Sequence, residues 1–233
     1  MSGARDRDGR DNPGAALARA GFRLLGHFAT TPADRVPDVA QGRPARALFL
    51  VGSLSDELFT LFRESPEAAD DRPDPLDRYT RRALAGIAEE AGLGIVFPFE
   101  GPPYFPFQRW ALRTGGFSPS PMGVLAHREY GTWLGLRAAL LSPQPVEATA
   151  SAAEPGPCGT CLDKPCITAC PAGALSDALP PASYDVPRCL AHLRAAPDTA
   201  CHTGCLARRA CPYGREYAQS RDAAALHMRA FFG

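Results

Sequence analysis

Residues 158–171 read Cys158-Gly-Thr-Cys161-Leu-Asp-Lys-Pro-Cys166-Ile-Thr-Ala-Cys170-Pro171. This stretch holds four thiols within thirteen positions, and a proline follows the fourth thiol directly. Gaps this short bring several thiolates onto one tight loop, as a metal centre requires. The first residues lack the apolar segment of a signal peptide, so we expect a cytoplasmic protein whose thiols stay reduced. The cysteines therefore predict a metal centre in preference to disulfides.

A second, looser set of cysteines follows and comprises Cys189, Cys201, Cys205 and Cys211. It also ends in Cys-Pro, and its last residues Ala210-Cys211-Pro212-Tyr213-Gly214 match Ala169-Cys170-Pro171-Ala172-Gly173 as an imperfect internal repeat. All eight cysteines of the chain lie at or after Cys158. Two half-sites are therefore predicted in the C-terminal third of the chain.

The first set resembles the bacterial ferredoxin run C-x2-C-x2-C-x3-C-P, with a middle gap that has grown to four residues. In that run three thiolates bind one [4Fe–4S] cluster and the fourth reaches the other cluster of a pair. Crosswise ligation of this kind predicts a first cluster on Cys158, Cys161, Cys166 and Cys211. It predicts a second cluster on Cys170, Cys189, Cys201 and Cys205. The pattern therefore indicates electron transfer.

Three alternatives for these cysteines stay open at this point. Zinc also takes four thiolates, but its structural sites usually pair two C-x2-C hooks, and the sequence has one. A single cluster with spare cysteines would fit the irregular second set. His192 and His202 lie near the cysteines and are candidate ligands, although eight thiolates already complete two clusters.

The composition disfavours some partners and suggests a chain in two parts. Lys plus Arg equals Asp plus Glu at 25 each, so nucleic acid is not expected as a partner. No stretch approaches the length of a membrane span. We interpret residues 1–13 as a disordered tail and the Pro/Ala/Ser-rich residues 147–157 as a linker. The predicted domains are residues 14–146 and 158–233.

The apolar periodicity of the first domain is mixed and predicts an α+β fold with a sheet of three or more strands. Its predicted helices span residues 15–29, 54–62 and 75–91. Its predicted strands span residues 47–51, 93–99, 123–127 and 132–141, the last two flanking a turn. A further helix near residues 223–232 is interpreted as structural.

Aromatic residues and prolines are unusually dense between Pro98 and Trp110. Such a segment can line a pocket for a flat ligand, although aromatics at these spacings are more often core. The candidate pocket residues here and on the later strands are Phe99, Tyr104, Trp110, His127, Tyr130 and Trp133. The sequence has no paired-carboxylate site, nucleophile elbow or phosphate-binding glycine loop, which argues against a hydrolase or a nucleotide enzyme.

The pattern of eight cysteines resembles the ferredoxin-like domain of the epoxyqueuosine reductases. The likeness extends to Arg188-Cys189 between the two sets and to Gly204-Cys205 before the last Cys-Pro. In that family the clusters supply electrons to a cobalamin held by the preceding domain. The last segment here, C-x3-C-x5-C-P, lacks the closely spaced second pair of that family.

Residues 14–146 are similar to the CblC-type cobalamin-processing fold, a flavin-reductase-like α+β domain that the epoxyqueuosine reductases also resemble. The similarity lies in Asp74-Pro-Leu-Asp-Arg-Tyr79 and in Gly123-Val-Leu-Ala-His-Arg-Glu-Tyr-Gly-Thr-Trp-Leu-Gly-Leu-Arg-Ala-Ala-Leu-Leu-Ser-Pro143. The acidic proton donor of the epoxyqueuosine reductases has only a loose counterpart in Glu100, so queuosine chemistry is not expected.

These resemblances imply an iron–sulfur oxidoreductase that passes single electrons from its clusters to a corrinoid or similar cofactor in the first domain. One alternative is a ferredoxin-type carrier with no organic cofactor, whose first domain docks a partner enzyme. Another is a zinc-stapled interaction module without redox activity. The expected partner is a redox protein or a small-molecule substrate. The sequence assigns neither a catalytic residue nor an oligomeric state.

Overall fold

The computed structural model describes residues 13–146 and 156–232. These residues pack as two units: the sheet unit contains residues 13–114 and 135–146, and the cysteine unit contains residues 115–134 and 156–232. The predicted tail lies outside the described residues apart from Pro13, and the predicted linker apart from Gly156 and Pro157. Within the described residues, no helix combines the length and the apolar character needed to cross a membrane.

The sheet unit is built around four strands in the order β1-β2-β6-β3, numbered along the chain. These strands are β1 (Arg23–Ala29), β2 (Ala47–Leu54), β3 (Gly94–Val96) and β6 (Leu134–Ser142). Strand β1 is antiparallel to β2, and β3 is antiparallel to β6. The helices of this unit are α1 (Pro13–Arg19), α2 (Ser55–Phe62), α3 (Pro66–Ala69), α4 (Pro75–Ala91) and α5 (Phe107–Thr114). The predicted mixture of helices and strands is confirmed.

Strand β2 lies at the centre of the core of the sheet unit. Seven of its eight residues are buried, and Leu48, Leu50 and Val51 are completely so. A strand buried on both faces reads as a continuous apolar run, which is why the prediction from sequence succeeded here. Helix α4 also matches its prediction, because Pro75 occupies its first turn and Gly92 ends it in the left-handed conformation at φ 67°.

The predicted helix over residues 15–29 is confirmed as far as Arg19 and is wrong beyond it. Helix α1 ends at Arg19, Gly21 adopts φ 81°, and residues 23–29 form strand β1 instead. The apolar residues have helical spacing, but the backbone hydrogen bonds of this segment are made with β2. A ladder to a distant strand thus overrides the local pattern. The predicted strand at 93–99 is shorter, because a turn with a bond from Glu100 N to Phe97 O follows β3.

The cysteine unit contains a two-stranded antiparallel sheet and several short helices. The strands are β4 (Phe117–Pro119) and β5 (Leu125–His127). The helices are α6 (Pro165–Thr168), α7 (Val186–Ala195), α8 (Leu206–Arg209) and α9 (Arg221–Phe232). Residues 115–134 pack with the cysteines, whereas the predicted boundary put them in the first domain. Accordingly, β5 and β6 belong to different sheets and do not pair with each other.

Glu67 of α3 and Arg82 of α4 form an ion pair that links these two helices. This pair makes the stability of the sheet unit depend on pH. The Nη2 of Arg82 lies 2.9 Å from Oε2 of Glu67. Hydrogen bonding from Arg82 lowers the pKa of Glu67 from 4.5 to about 2. Because the folded-state pKa is depressed, the stabilisation is present above about pH 4.5 and is lost as pH falls toward 2.

We therefore expect Arg82→Gln to raise the pKa of Glu67 toward its ordinary value. Carboxyl NMR should show Glu67 titrating between about pH 3.5 and 6 in the variant and remaining ionised over that range in the wild type. The variant should lose on the order of 1 kcal/mol of unfolding free energy at pH 7, since the half-exposed Arg82 is screened by solvent. As a control, Arg81→Gln breaks a pair with Glu100 and should leave the titration of Glu67 unchanged. A Glu67 titration that is the same in wild type and Arg82→Gln would contradict this assignment.

Candidate functional site

All eight cysteines are free and lie in the cysteine unit. One group, which we call the first thiol set, comprises Cys158, Cys161, Cys166 and Cys211. Burial raises the pKa of the Cys166 thiol, and the charges of the other three members raise it further. Burial likewise raises the pKa of Cys158, with Cys211 and Cys161 adding to the effect. Thiols from both ends of the cysteine-rich sequence therefore lie close enough to interact electrostatically.

Strand β4 positions the first cysteine of this set. The backbone N–H of Cys158 donates to the Ser118 hydroxyl oxygen at 3.0 Å, and Ser118 is buried. Just before it, the Gly156 N–H donates to the Phe117 carbonyl at 3.0 Å. A Cβ at Gly156 would lie only 2.2 Å from the Ser118 nitrogen, so this close approach requires glycine. The Ser118 side chain also acts on the Cys158 thiol, where it opposes the rise in pKa that burial causes.

The internal repeat of the sequence is also a repeat of backbone structure. Helices α6 and α8 have four residues each and pack against each other. Directly after them, the Cys170 N–H donates to the Ile167 carbonyl at 3.3 Å, and the Cys211 N–H to the Arg208 carbonyl at 3.2 Å. Each turn then ends in a glycine at positive φ. The two Cys-Pro turns thus begin where two packed helices, α6 and α8, end.

The other group, the second thiol set, comprises Cys170, Cys189, Cys201 and Cys205, and all four line one cavity of about 240 Å³. Most of the remaining wall is apolar and includes Met122, Val124, Leu175, Leu193, Met228 and Phe231. A water molecule in the liquid occupies roughly 30 Å³, so the cavity has room for a group of several atoms. Every residue of this wall belongs to the cysteine unit.

Polar groups contact the sulfurs of the second thiol set. Burial raises the pKa of the Cys205 thiol, while the backbone N–H groups of Arg208 and Ala207 bond to its sulfur and lower it. Donors of this kind stabilise the negative charge of a thiolate that holds a metal centre.

The two histidines near the cysteines have protein partners. In the cavity wall, His192 Nε2 lies 3.3 Å from the Thr199 hydroxyl. His202 Nε2 lies 3.2 Å from the Leu193 carbonyl, and its ring meets Phe232 edge-on at 5.5 Å. Because a ring nitrogen near a carbonyl must carry a proton, His202 Nε2 is a donor here and not a ligand.

A single metal ion needs its ligands to converge on one point. Among residues 13–146 and 156–232, no three His, Cys, Asp or Glu side chains are grouped in a way that could hold one. A [4Fe–4S] cluster has a different requirement, because each of its four thiolates binds a different iron. The four sulfurs that bind a [4Fe–4S] cluster are therefore spread around the space that the cluster fills and do not converge on one point.

The candidate pocket residues of the sheet unit lie in different environments. Trp110 is buried in α5, and its Nε1–H donates to the Asp34 carbonyl at 2.8 Å. Phe99 stacks on Phe97 with 5.1 Å between ring centroids, whereas Tyr104 is 64% exposed. Trp110 is therefore a core residue.

The remaining candidates lie in the cysteine unit, and two of them are in contact. His127 stacks on Tyr130 with centroids 4.9 Å apart, and burial lowers the pKa of the imidazole, which keeps it neutral at pH 7. Trp133 is buried beneath the Arg208 guanidinium, and within the described residues its Nε1 has no hydrogen-bond partner. A corrinoid pocket made of these six residues stays a prediction.

Comparison with solved structures finds a likeness to a CblC protein. One match is the crystal structure of a B12-trafficking protein CblC from C. elegans, described as a human MMACHC homologue, with 13% sequence identity and a TM-score of 0.49. It covers 93% of this chain and 92% of that chain. A likeness of this strength assigns neither cofactor nor activity. No protein-family model matches the chain, and no curated protein matches it.

Two residues near the thiols were not singled out from the sequence. Ser118 precedes Cys158 by forty positions, and no local pattern links the two. Tyr184 lies only five residues before Cys189, and both residues line the cavity. A phenol or hydroxyl near a cysteine is too common in sequences to indicate a contact, so only packing could identify these two residues.

Proposed function

We propose that this protein is an iron–sulfur electron-transfer protein that holds two [4Fe–4S] clusters in its cysteine unit. The observation that carries the proposal is the grouping of eight free thiols into two sets of four, one of them around a cavity of about 240 Å³. A protein with reduced, clustered and partly buried thiols fits such cofactors better than it fits a disulfide scaffold. The proposed ligands are the first thiol set for one cluster and the second thiol set for the other.

The chemistry of the donor set supports this assignment. Fe–S clusters take four cysteine thiolates and, when bound, supply one-electron storage at a potential set by hydrogen bonding and solvent exposure. Both factors that set the reduction potential, hydrogen bonding and solvent exposure, depend on residues of this chain around the thiols. The Ser118 hydroxyl accepts a hydrogen bond from the Cys158 backbone N–H, backbone N–H groups of Ala207 and Arg208 lower the pKa of Cys205, and mostly apolar side chains line the cavity.

A corrinoid bound by the predicted N-terminal domain, residues 14–146, is the proposed electron acceptor. Its support is the sequence similarity of residues 74–79 and 123–143 to the cobalamin-processing fold. The clusters would then deliver single electrons to cobalt, and the protein would be an oxidoreductase of the cytoplasm. If no corrinoid binds, the same two clusters make the protein a ferredoxin-type carrier.

Anaerobic purification with assays for iron, sulfide and zinc tests the proposal. We expect about eight irons and eight sulfides per chain and a broad visible absorption that dithionite bleaches. Adding cobalamin to the reduced protein should then change the cobalamin spectrum, with dithionite and cobalamin without protein as the control. Unchanged cobalamin would favour the carrier, and zinc in place of iron would overturn the proposed function as a whole.

A further inference from the structure

The wall of the cavity that holds the second thiol set reaches the protein surface. Two of its apolar residues are exposed, Val124 at 46% and Phe231 at 40%. Apart from the thiols, its polar side chains are Tyr184, His192, Arg208 and His227. Among the described residues no carboxylate lines this wall. The cluster proposed for this cavity therefore lies close to an exposed apolar surface.

The part of the chain that follows Asp185 carries an excess of positive charge. Residues 186–232 contain seven arginines and three acidic residues, although the whole chain has equal numbers of basic and acidic residues. They also contribute three of the four thiols of the second thiol set. Asp185 itself caps α7 by accepting a hydrogen bond from the Arg188 backbone N–H at 2.9 Å. Positive charge is therefore concentrated in the elements that hold this set.

Two of these arginines lie on the backbone beside cysteines of the second thiol set, and both are exposed. The Arg188 guanidinium covers Gly173 of the first Cys-Pro turn, since a Cβ added there would lie 3.2 Å from Nη2. Arg209 covers Gly204, the residue before Cys205, with its Nε 2.9 Å from the added Cβ. Within the described residues neither arginine forms an ion pair, so both charges are available to a partner.

Exposed arginines beside exposed apolar side chains are suited to bind an acidic protein. Arginine and aromatic residues are enriched at protein interfaces, and complementary charge chiefly raises the rate of association. Electron-transfer complexes have small interfaces and are weak, so their rate of encounter matters. Resting on the two-cluster function proposed above, we propose that Arg188 and Arg209, with Val124 and Phe231, form the docking surface of an acidic one-electron carrier protein. One electron passes from the reduced carrier to the oxidised cluster of the second thiol set, and no covalent bond forms or breaks.

The test is the rate at which a reduced acidic flavodoxin reduces the clusters of the full-length protein, followed by stopped-flow absorbance. At low ionic strength Arg188→Glu/Arg209→Glu should be reduced roughly tenfold more slowly than the wild type, because attraction becomes repulsion. The wild-type rate should fall as salt screens the charges, whereas the rate of this variant should not fall. Arg188→Lys/Arg209→Lys keeps both charges and should be reduced within about twofold of the wild-type rate.

The matched control is Arg43→Glu/Arg63→Glu, which changes the net charge by the same amount in the sheet unit. Both arginines are exposed, and in the described part of the chain neither forms an ion pair. This control should be reduced within about twofold of the wild-type rate. Because Arg209 Nη2 also donates to the Thr203 carbonyl at 3.3 Å, Arg188→Glu alone repeats the test without disturbing that contact. It should be slowed roughly threefold.

Equal slowing of the two Glu double variants would overturn the inference, because net charge and not this surface would then govern the rate. An unchanged rate in Arg188→Glu/Arg209→Glu would also overturn it, and so would a Lys variant as slow as the Glu variant. Wild-type protein without iron and sulfide would instead refute the clusters themselves. Wild-type protein with about eight irons whose reduction ignores Arg188 and Arg209 would refute the inference alone.

Discussion

Replacing Cys166 and Cys211 together by alanine is expected to remove one cluster and leave the other intact, so that iron falls from about eight to about four per chain. Both thiols belong to the first thiol set, and the charges of Cys211 and Cys158 reach Cys166. Once one ligand of a cluster is lost, removing a second ligand of the same cluster costs no further iron. Iron, sulfide and the EPR spectrum of the reduced protein are the measurements.

The matched control is the double variant of Cys166 and Cys170, which lie only four positions apart on either side of the end of α6. Crosswise ligation assigns them to different clusters, so this variant should lose both and retain almost no iron. Ligation by sequence neighbours would reverse the two results. Four irons in the Cys166/Cys170 variant, with none in the Cys166/Cys211 variant, would therefore refute the proposed sets.

Gly214→Ala is expected to destabilise the cysteine unit by about 3 kcal/mol, as the sum of a left-handed backbone and a steric clash. Gly214 adopts φ 65°, and an added Cβ would lie 2.4 Å from the Tyr130 carbonyl carbon, which is backbone and cannot rotate away. Its neighbour across the contact, Gly131, is equally restricted, since its Cβ would lie 2.1 Å from the Tyr213 carbonyl oxygen. Because Cys211 lies three positions earlier, the variant should also lose the first cluster more readily on heating.

Gly173→Ala is the control for that substitution. Gly173 occupies the same place in the other Cys-Pro turn and adopts φ 58°, but its added Cβ would meet only the tip of the exposed Arg188 side chain, at 3.2 Å. It should therefore show the conformational cost of about 1 to 2 kcal/mol without the clash. Urea unfolding followed by circular dichroism gives both values, and equal losses would mean that the contact with residues 130–131 contributes nothing.

Much of the sheet unit could be predicted because its signals are local. The run of buried residues in β2 and the Pro75 and Gly92 boundaries of α4 need no knowledge of distant contacts. Residues 23–29 could not be predicted in this way. Their apolar spacing fits a helix, but pairing with β2 and the left-handed Gly21 make them a strand.

The site, like the fold, could be predicted only where its signals are local in the sequence. Cysteine spacing and the Ala-Cys-Pro-X-Gly repeat led to two sets of four thiols, and crosswise ligation stays a prediction until the double variants are measured. The contacts that hold the thiols in place come from residues far away in sequence. Ser118 bonds to Cys158, and Gly131 lies against Tyr213, although the predicted boundary placed Ser118 and Gly131 in the other domain.

The sequence by itself determined the presence of eight clustered thiols, the mixed α/β character and the longest helix, because spacing, periodicity and capping act within a few residues of each other. The tertiary structure alone decided that residues 115–134 belong with the cysteines, that residues 23–29 are a strand, and that Tyr184 and Cys189 line the same cavity. Those outcomes depend on backbone contacts and hydrogen bonds between segments distant in the chain, which no local pattern encodes.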